Sequence, residues 1–298
     1  MPSRFVIAAI LLFWLGTTSI VAYRELRPRY FADVPATVSI ELSDEATPAL
    51  PVQWNIYRGS QIIGTLTTRM AHVPEDDSFK FISKYSNLKL DFGSGISFEI
   101  PTAETVVRVT RDGQLREQNM NGKLEVKLAV LTLAQASTTV TGTVQGKQLI
   151  GHCVLKSSIA NIDRALEPVP VPEGQVLNPL MPVNRLKDVS PGKKWTIRLI
   201  DPLNDSLKLL MMELAKNQKS ALLPTQTGAE SPELVAEVLS EAVLVDRAAN
   251  LGGPVKCWVI EYRSEQAMAR TFVSVTDGRV IRQEARRDDE MLRFERRD

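Results

Sequence analysis

From Thr37 onward, apolar and polar residues alternate in short runs that turn signals separate. Examples are residues 88–92, 96–100, 124–130 and 255–260. A period of two places one side of a strand on a core and the other side in water. Asp112-Gly113, Asn121-Gly122 and Asp277-Gly278 are typical of hairpin turns. The chain is therefore predicted to be mainly β: an antiparallel sheet curled into a half-barrel over its apolar side, with one or two helices.

The beginning of the chain predicts a membrane anchor. The run Phe5–Tyr23 carries no charged side chain and is about as long as a helix that crosses a bilayer. We expect an N-terminal transmembrane helix at residues 5–23 within an anchor and stalk of residues 1–30; a cleaved signal peptide is the alternative. Arg24, Arg27 and Arg29 favour a cytoplasmic body, whereas the very short N-terminal tail is typical of a signal-anchor. We expect a single-pass protein of the cell membrane with an extracytoplasmic, periplasmic body.

Proline content and strand patterns divide the rest of the chain. Residues 31–166 are predicted to form a first β lobe, residues 167–182 a Pro-rich linker, and residues 183–298 a second β lobe with a helix near 202–216. Residues 107–118 and 273–284 share the pattern strand, Asp-Gly turn, strand, which suggests related lobes. The pattern leaves residues 234–242 open between helix and strand. The charged stretch 286–298 is expected to be a solvated end.

Charge and residue types exclude several classes of function. Lysine and arginine total 36 and aspartate and glutamate total 35, so no strong field attracts nucleic acid or an acidic substrate. His72 and His152 are isolated and have no metal-ligand spacing with the cysteines. The acidic turn Glu75–Asp77 has too few ligands for calcium and is expected to be a solvated loop. The sequence predicts a non-catalytic protein with no metal, no cofactor and no nucleic-acid partner.

Cys153 and Cys257 occupy similar strand contexts in the two halves of the chain. In an oxidising compartment a disulfide between them would link the halves. Two buried free thiols, which behave as small apolar groups, are the alternative. The sequence leaves both alternatives open because it does not give the separation of the two residues.

The segment WNIYRGSQIIGTLTTRM (Trp54–Met70) resembles the opening hairpin of bacterial envelope domains related to the LolA/LolB lipoprotein carriers. The segments Pro182–Leu207 and Val275–Glu284 are similar in pattern to the same relatives, some of which precede transglutaminase-like domains. No transglutaminase Cys-His-Asp arrangement is present in this sequence, so that activity does not carry over. The resemblance implies an apolar concavity under a curved sheet, covered by a helix at 203–214.

These observations lead to two expectations about function. The first is a membrane-anchored, non-catalytic envelope protein that binds an apolar ligand such as a lipid or an acyl chain. The second is a structural or interaction module that holds an envelope protein partner near the membrane. The residues expected to line the ligand site come from strands and from the predicted helix: Phe81, Leu90, Phe98, Val126, Leu128, Leu207, Leu210 and Met211.

Overall fold

The computed structural model describes residues 50–91, 96–111, 113–128, 131–157, 161–171, 186, 189–198, 233–245, 253–263, 267–287 and 290–297. Within these ranges the chain forms strands and turns of one antiparallel sheet. Neither the apolar run 5–23 nor the helix predicted near 202–216 belongs to the described residues, so both stay predictions. No helix in the described ranges is long and apolar enough to cross a membrane.

The strands are mostly long, and their apolar residues alternate as the sequence predicts. Their bounds are β1 Val52–Arg58, β2 Gln61–Val73, β3 Ser78–Asp91, β4 Ile96–Thr110, β5 Leu115–Leu128, β6 Leu131–Gln145, β7 Gln148–Ser157, β8 Asn161–Ala165, β9 Val169–Pro170, β10 Lys194–Arg198, β11 Glu233–Val238, β12 Val243–Val245, β13 Val255–Arg263, β14 Ala267–Ser274, β15 Val280–Arg287 and β16 Glu290–Arg296. The open question at 234–242 is answered in part by β11, which is a strand.

The strand order is β10-β11-β13-β14-β15-β16-β1-β2-β3-β4-β5-β6-β7-β8, with β12 added to β13 and β9 added to β7. Strands β1 to β8 follow one another as a meander. The C-terminal strands form a second series that joins the first through the pairing of β16 with β1. Among the described strands, the path ends at β8 on one side and at β10 on the other. The sheet is thus large, antiparallel and open.

One face of the sheet, which we call the inner face, carries the apolar core. Trp54, Leu66 and Tyr85 are direct cross-strand partners on β1, β2 and β3 and lie on this face. Its main core cluster combines residues of β1 and β2 with residues of β10, β11 and β13 to β16. Trp54 and Ile260 are fully buried, whereas one face of a flat single sheet would be in water. Residues of β2 and β10 share this cluster although seven strand-to-strand steps separate them, so the sheet curls over its inner face.

The opposite, outer face carries alternating charges across neighbouring strands. On β13 and β14, Arg270 donates two hydrogen bonds, of 2.9 and 2.8 Å, to the carboxylate of Glu261. On β15 and β16, Arg282 lies 2.9 Å from Glu295. Opposite charges placed directly across a ladder stabilise strand pairing. The outer face is therefore charged along these ladders, while Cys257 and Val259 on the same side of β13 are buried.

The charged C-terminal stretch is not a solvated end over its described length. Residues 290–296 form β16, which pairs with β15 on one side and β1 on the other. Leu292 and Phe294 pack on the inner core, while Arg293 and Glu295 alternate with them on the outer face. Arg293 also lies over the ring of Tyr57 at 4.6 Å. The expectation was wrong because charge density obscured a period of two.

The hairpin turns confirm two of the three turn signals. Gly113 and Gly278 both have positive φ, at 79° and 69°, a conformation that favours glycine. Asn121 and Gly122 are instead inside β5, where the ladders to β4 and β6 continue past them. A Cβ at Gly122 would lie 3.5 Å from the Cβ of Ala103. That distance is an ordinary van der Waals contact, so Gly122 is a regular strand residue and not part of a turn.

Strands from both predicted lobes belong to one sheet and share the main core cluster. The two similar segments 107–118 and 273–284 contribute to the hairpins β4–β5 and β14–β15. The first residues of the predicted Pro-rich linker pair with β7 through β9. The division into two related lobes stays a prediction.

Candidate functional site

Four strands extend past their neighbours at one end of the sheet. Within the residues that the structure describes, β3 pairs with β2 as far as Ser86, and β6 pairs with β7 from Ala136 onward. The ends of β3, β4, β5 and β6 continue beyond these points and pair with one another. We call residues 88–91, 96–100, 124–128 and 131–135 the flap.

The inner side of the flap is a half-buried apolar surface. Leu90 pairs with Phe98, and Phe98 pairs with Val126, so three of the predicted ligand residues occupy one cross-strand row. Leu128 holds the neighbouring register position, opposite Ile96. Phe98 and Val126 are only partly buried. This end of the inner face therefore keeps accessible apolar area for a further contact.

The apolar surface of the flap continues into the main core. Leu88 pairs with Ile100, and Leu88 packs against the main core cluster. Leu124 and Ile100 are half-buried and alternate in phase with Val126 and Phe98. Ile100 and Leu124 are missing from the sequence prediction. The alternation in residues 96–100 and 124–130 was sufficient to include them.

Ion pairs lie on the outer side of the flap. Lys127 contacts Glu99 and lies 3.4 Å from Glu125, and Lys89 lies 3.4 Å from Glu99. The hydrogen bond from Lys127 holds the pKa of Glu99 below its usual value. The same bond raises the pKa of Lys127. The two lysines and two glutamates balance in formal charge, so the flap is amphipathic with no net excess of charge among them.

Phe81 does not lie in the flap. It pairs with Met70 and Val107 and packs against the small cluster of Met70, Phe79 and Val109. Leu90 is nine residues farther along β3, which corresponds to about 30 Å of strand. The predicted set of strand residues thus separates into the flap and this second location. Leu207, Leu210 and Met211 lie outside the described residues.

The two cysteines are free and buried, and they lie apart in the sheet. Cys153 on β7 packs in a cluster with Val140 and Leu149. Cys257 on β13 packs in a different cluster with Val245 and Ile281. Burial raises the pKa of the Cys153 thiol. The structure does not bring them together as a disulfide and shows the free-thiol alternative.

The acidic turn between β2 and β3 is paired and not simply solvated. Arg108 donates hydrogen bonds to Asp76 at 2.8 Å, to Ser78 at 2.8 Å and to Glu117 at 3.1 Å. The hydrogen bond from Ser78, followed by that from Arg108, lowers the pKa of Asp76. This network connects two neighbouring turns. Its charges are satisfied internally, so we assign it a structural role.

Both histidines lie on strands beside a carboxylate. His72 lies 2.9 Å from Asp77, which also accepts two hydrogen bonds of 2.6 Å from Arg111. His152 lies 3.0 Å from Asp163. In the described ranges, no group of three or more metal-binding side chains comes together. The flap itself offers apolar contacts and salt-bridged charges, which suit binding and not proton transfer.

Comparison with known proteins adds little to this site. No family model and no curated protein matches the chain. A solved structure similar to it is the crystal structure of a beta-barrel-like protein of the domain of unknown function DUF1849 from Brucella abortus. The two share 8% identity with a TM-score of 0.37, over 85% of this chain and 98% of that chain. A match at this level says nothing about ligand or partner.

Proposed function

We propose that the chain is a membrane-anchored, non-catalytic envelope protein whose flap binds an apolar ligand such as a lipid or an acyl chain. The observation that carries the proposal is the half-buried row that includes Phe98 and Val126, which extends the apolar inner face into the flap. Apolar area that remains accessible beside a packed core favours a further apolar contact. The resemblance to LolA/LolB-like carriers and the predicted anchor agree with this proposal.

The chemistry of the site restricts the ligand. The ion pairs of the flap lie on its outer side, whereas Phe98, Ile100, Leu124 and Val126 form the inner side. A charged headgroup would therefore lose solvation on the inner side without gaining a partner there. The hydrocarbon part of an amphiphile fits this surface, with its polar end left in water.

A photoreactive fatty acid tests the proposal. The full chain, held in amphipol without a bilayer, is irradiated with a diazirine fatty acid, and the adducts are mapped by mass spectrometry. We expect adducts on residues 96–100 and 124–128. Phe98→Glu should reduce them by about tenfold or more, because the new carboxylate must stay solvated.

The matched control is Ser97→Glu, which adds the same charge one residue away on the outer face, in register with Lys127. This variant should label like the wild type. Equal labelling of wild type and Phe98→Glu, or adducts confined to residues 5–23, would contradict ligand binding by the flap. That second result would favour the alternative function, an interaction module that holds a protein partner near the membrane.

A further inference from the structure

The free corner of the flap exposes two leucines. Leu131 and Leu133 are 66% and 55% exposed, at the start of β6. The residues between and after them, up to Gln135, carry no charge. Burying such aliphatic side chains is favourable. The two exposed leucines therefore offer area for an apolar contact with another surface.

Leu133 is the extra residue of a β-bulge in β6, opposite β5. Val126 pairs with Ala134 and Lys127 pairs with Thr132, so β6 has one more residue than β5 at this point. A β-bulge of this kind redirects a side chain and weakens regular pairing along that edge. Addition of a partner strand is therefore disfavoured here, although β6 has no β7 partner over residues 131–135 in the described part of the chain.

A lipid surface is the occupant that fits this corner. The contact is aliphatic and small, and Ala134 and Val126 extend it directly onto the inner side of the flap. The lysines and glutamates on the outer side compensate one another. Docking of this kind needs hydrocarbon and does not need anionic headgroups.

The length of chain before the sheet allows the flap to reach the anchoring bilayer. Residues 24–49 separate the predicted membrane segment from Leu50 and number 26, with a maximum span of about 90 Å. Val140 occupies the same cross-strand row as Val52. Leu131 is about 30 Å from that row along β6, and five strand spacings add about 24 Å around the sheet. The tether also raises the effective concentration of the flap near the bilayer, so a weak contact is sufficient for docking.

We propose that Leu131 and Leu133 dock the flap on the surface of the lipid bilayer to which the chain is tethered. Docking places the inner side of the flap next to the source of an apolar ligand. Docking is tested apart from ligand binding, because neither Leu131 nor Leu133 belongs to the row that includes Phe98 and Val126.

Fluorescence quenching in vesicles tests the proposal. The full chain with Leu133→Cys is labelled with bimane and reconstituted in phosphatidylcholine vesicles that contain a doxyl-labelled phosphatidylcholine. The matched control is Ile150→Cys, another exposed aliphatic position, near the opposite end of the strands. We expect the lipid quencher to quench bimane at position 133 at least about twofold more than at position 150, with or without added phosphatidylglycerol.

Two results would overturn the proposal. One is equal lipid quenching at the two positions, which would leave the corner in water or against a protein. The other is quenching at position 133 only when phosphatidylglycerol is present, which would make the contact electrostatic. Folding of both variants is checked by the two native cysteines, which stay unreactive while buried.

Discussion

Replacement of Gln283 tests the packing of the inner face. Its side chain is 1% exposed and lies between Thr271 and Phe294 across the ladders. Its Nε2 has no hydrogen-bond partner among the described residues. A buried donor without a partner costs about 1–3 kcal/mol. Gln283→Met keeps an unbranched side chain of similar length and removes the polar amide, so this cost disappears.

We expect Gln283→Met to raise the free energy of unfolding by about 2 kcal/mol, the middle of the cost of an unpaired buried amide. For a domain of this size, that change raises the melting temperature by about 4–8 °C. Circular dichroism melts and urea titrations of the full chain, in one detergent, measure both quantities.

Gln283→Glu is the control, because it keeps the size and buries a carboxyl group. The unfolding free energy should fall at neutral pH, where an ionised carboxylate loses its solvation in the core. The loss should shrink at low pH, because the carboxyl group then becomes neutral. A less stable Gln283→Met would show that the amide makes a favourable hydrogen bond in the native chain, and the reasoning would be refuted.

Two further substitutions and one labelling measurement test the sheet. Thr68→Val removes the acceptor of the 2.9 Å hydrogen bond from the buried Trp54 indole; chemical denaturation should show a loss of about 1–3 kcal/mol, and unchanged stability would contradict the bond. Hydrogen bonds from Arg111, then His72, hold the pKa of Asp77 well below 3.8. The stability advantage of wild type over Asp77→Asn should be full above that unfolded value and be lost as pH falls toward the lower folded pKa; a constant difference between pH 6 and pH 2 would contradict the assignment. Without reductant, intact mass should show no cysteine alkylation in the native chain and two adducts after denaturation; a single disulfide would contradict the free thiols.

The strands were predictable because their signal is local. Residues 96–100 and 124–128 alternate strictly, and the structure places both on long strands. The Asp-Gly turn at Gly278 was equally predictable, because the positive φ at this position favours glycine. In contrast, the pairing of β16 with β1 joins two strands that are far apart in the sequence. Periodicity shows which residues face a core but does not show which strand lies next to another.

The two wrong predictions have a common physical origin. Asn121-Gly122 is a turn signal by residue type, and 286–298 is a solvated segment by charge. In each case the ladders on both sides decide the structure: β5 continues through the glycine, and β16 alternates Phe294 with paired charges. Local propensity was overridden by neighbours that the sequence does not identify.

The sequence predicted which types of residue form the candidate site but did not predict where they lie in the sheet. Phe81, Phe98 and Val126 have the same alternating pattern, yet Phe81 packs in the sheet and the other two lie in the flap. What separates them is strand length. Strands β3 to β6 contain 14 or 15 residues, whereas their neighbours β2 and β7 contain 13 and 10.

Unequal strand length therefore turns part of an ordinary core face into accessible apolar surface. The flap lies beyond the described pairing of β3 with β2 and of β6 with β7, and its residues Phe98 and Val126 are half-buried. The outer ion pairs of Lys127 place charged side chains on the flap ends of β4 and β5, and charged side chains oppose edge-to-edge association of strands. A site made in this way needs no special motif, which is why the residues predict an apolar contact while the ladders determine where it lies.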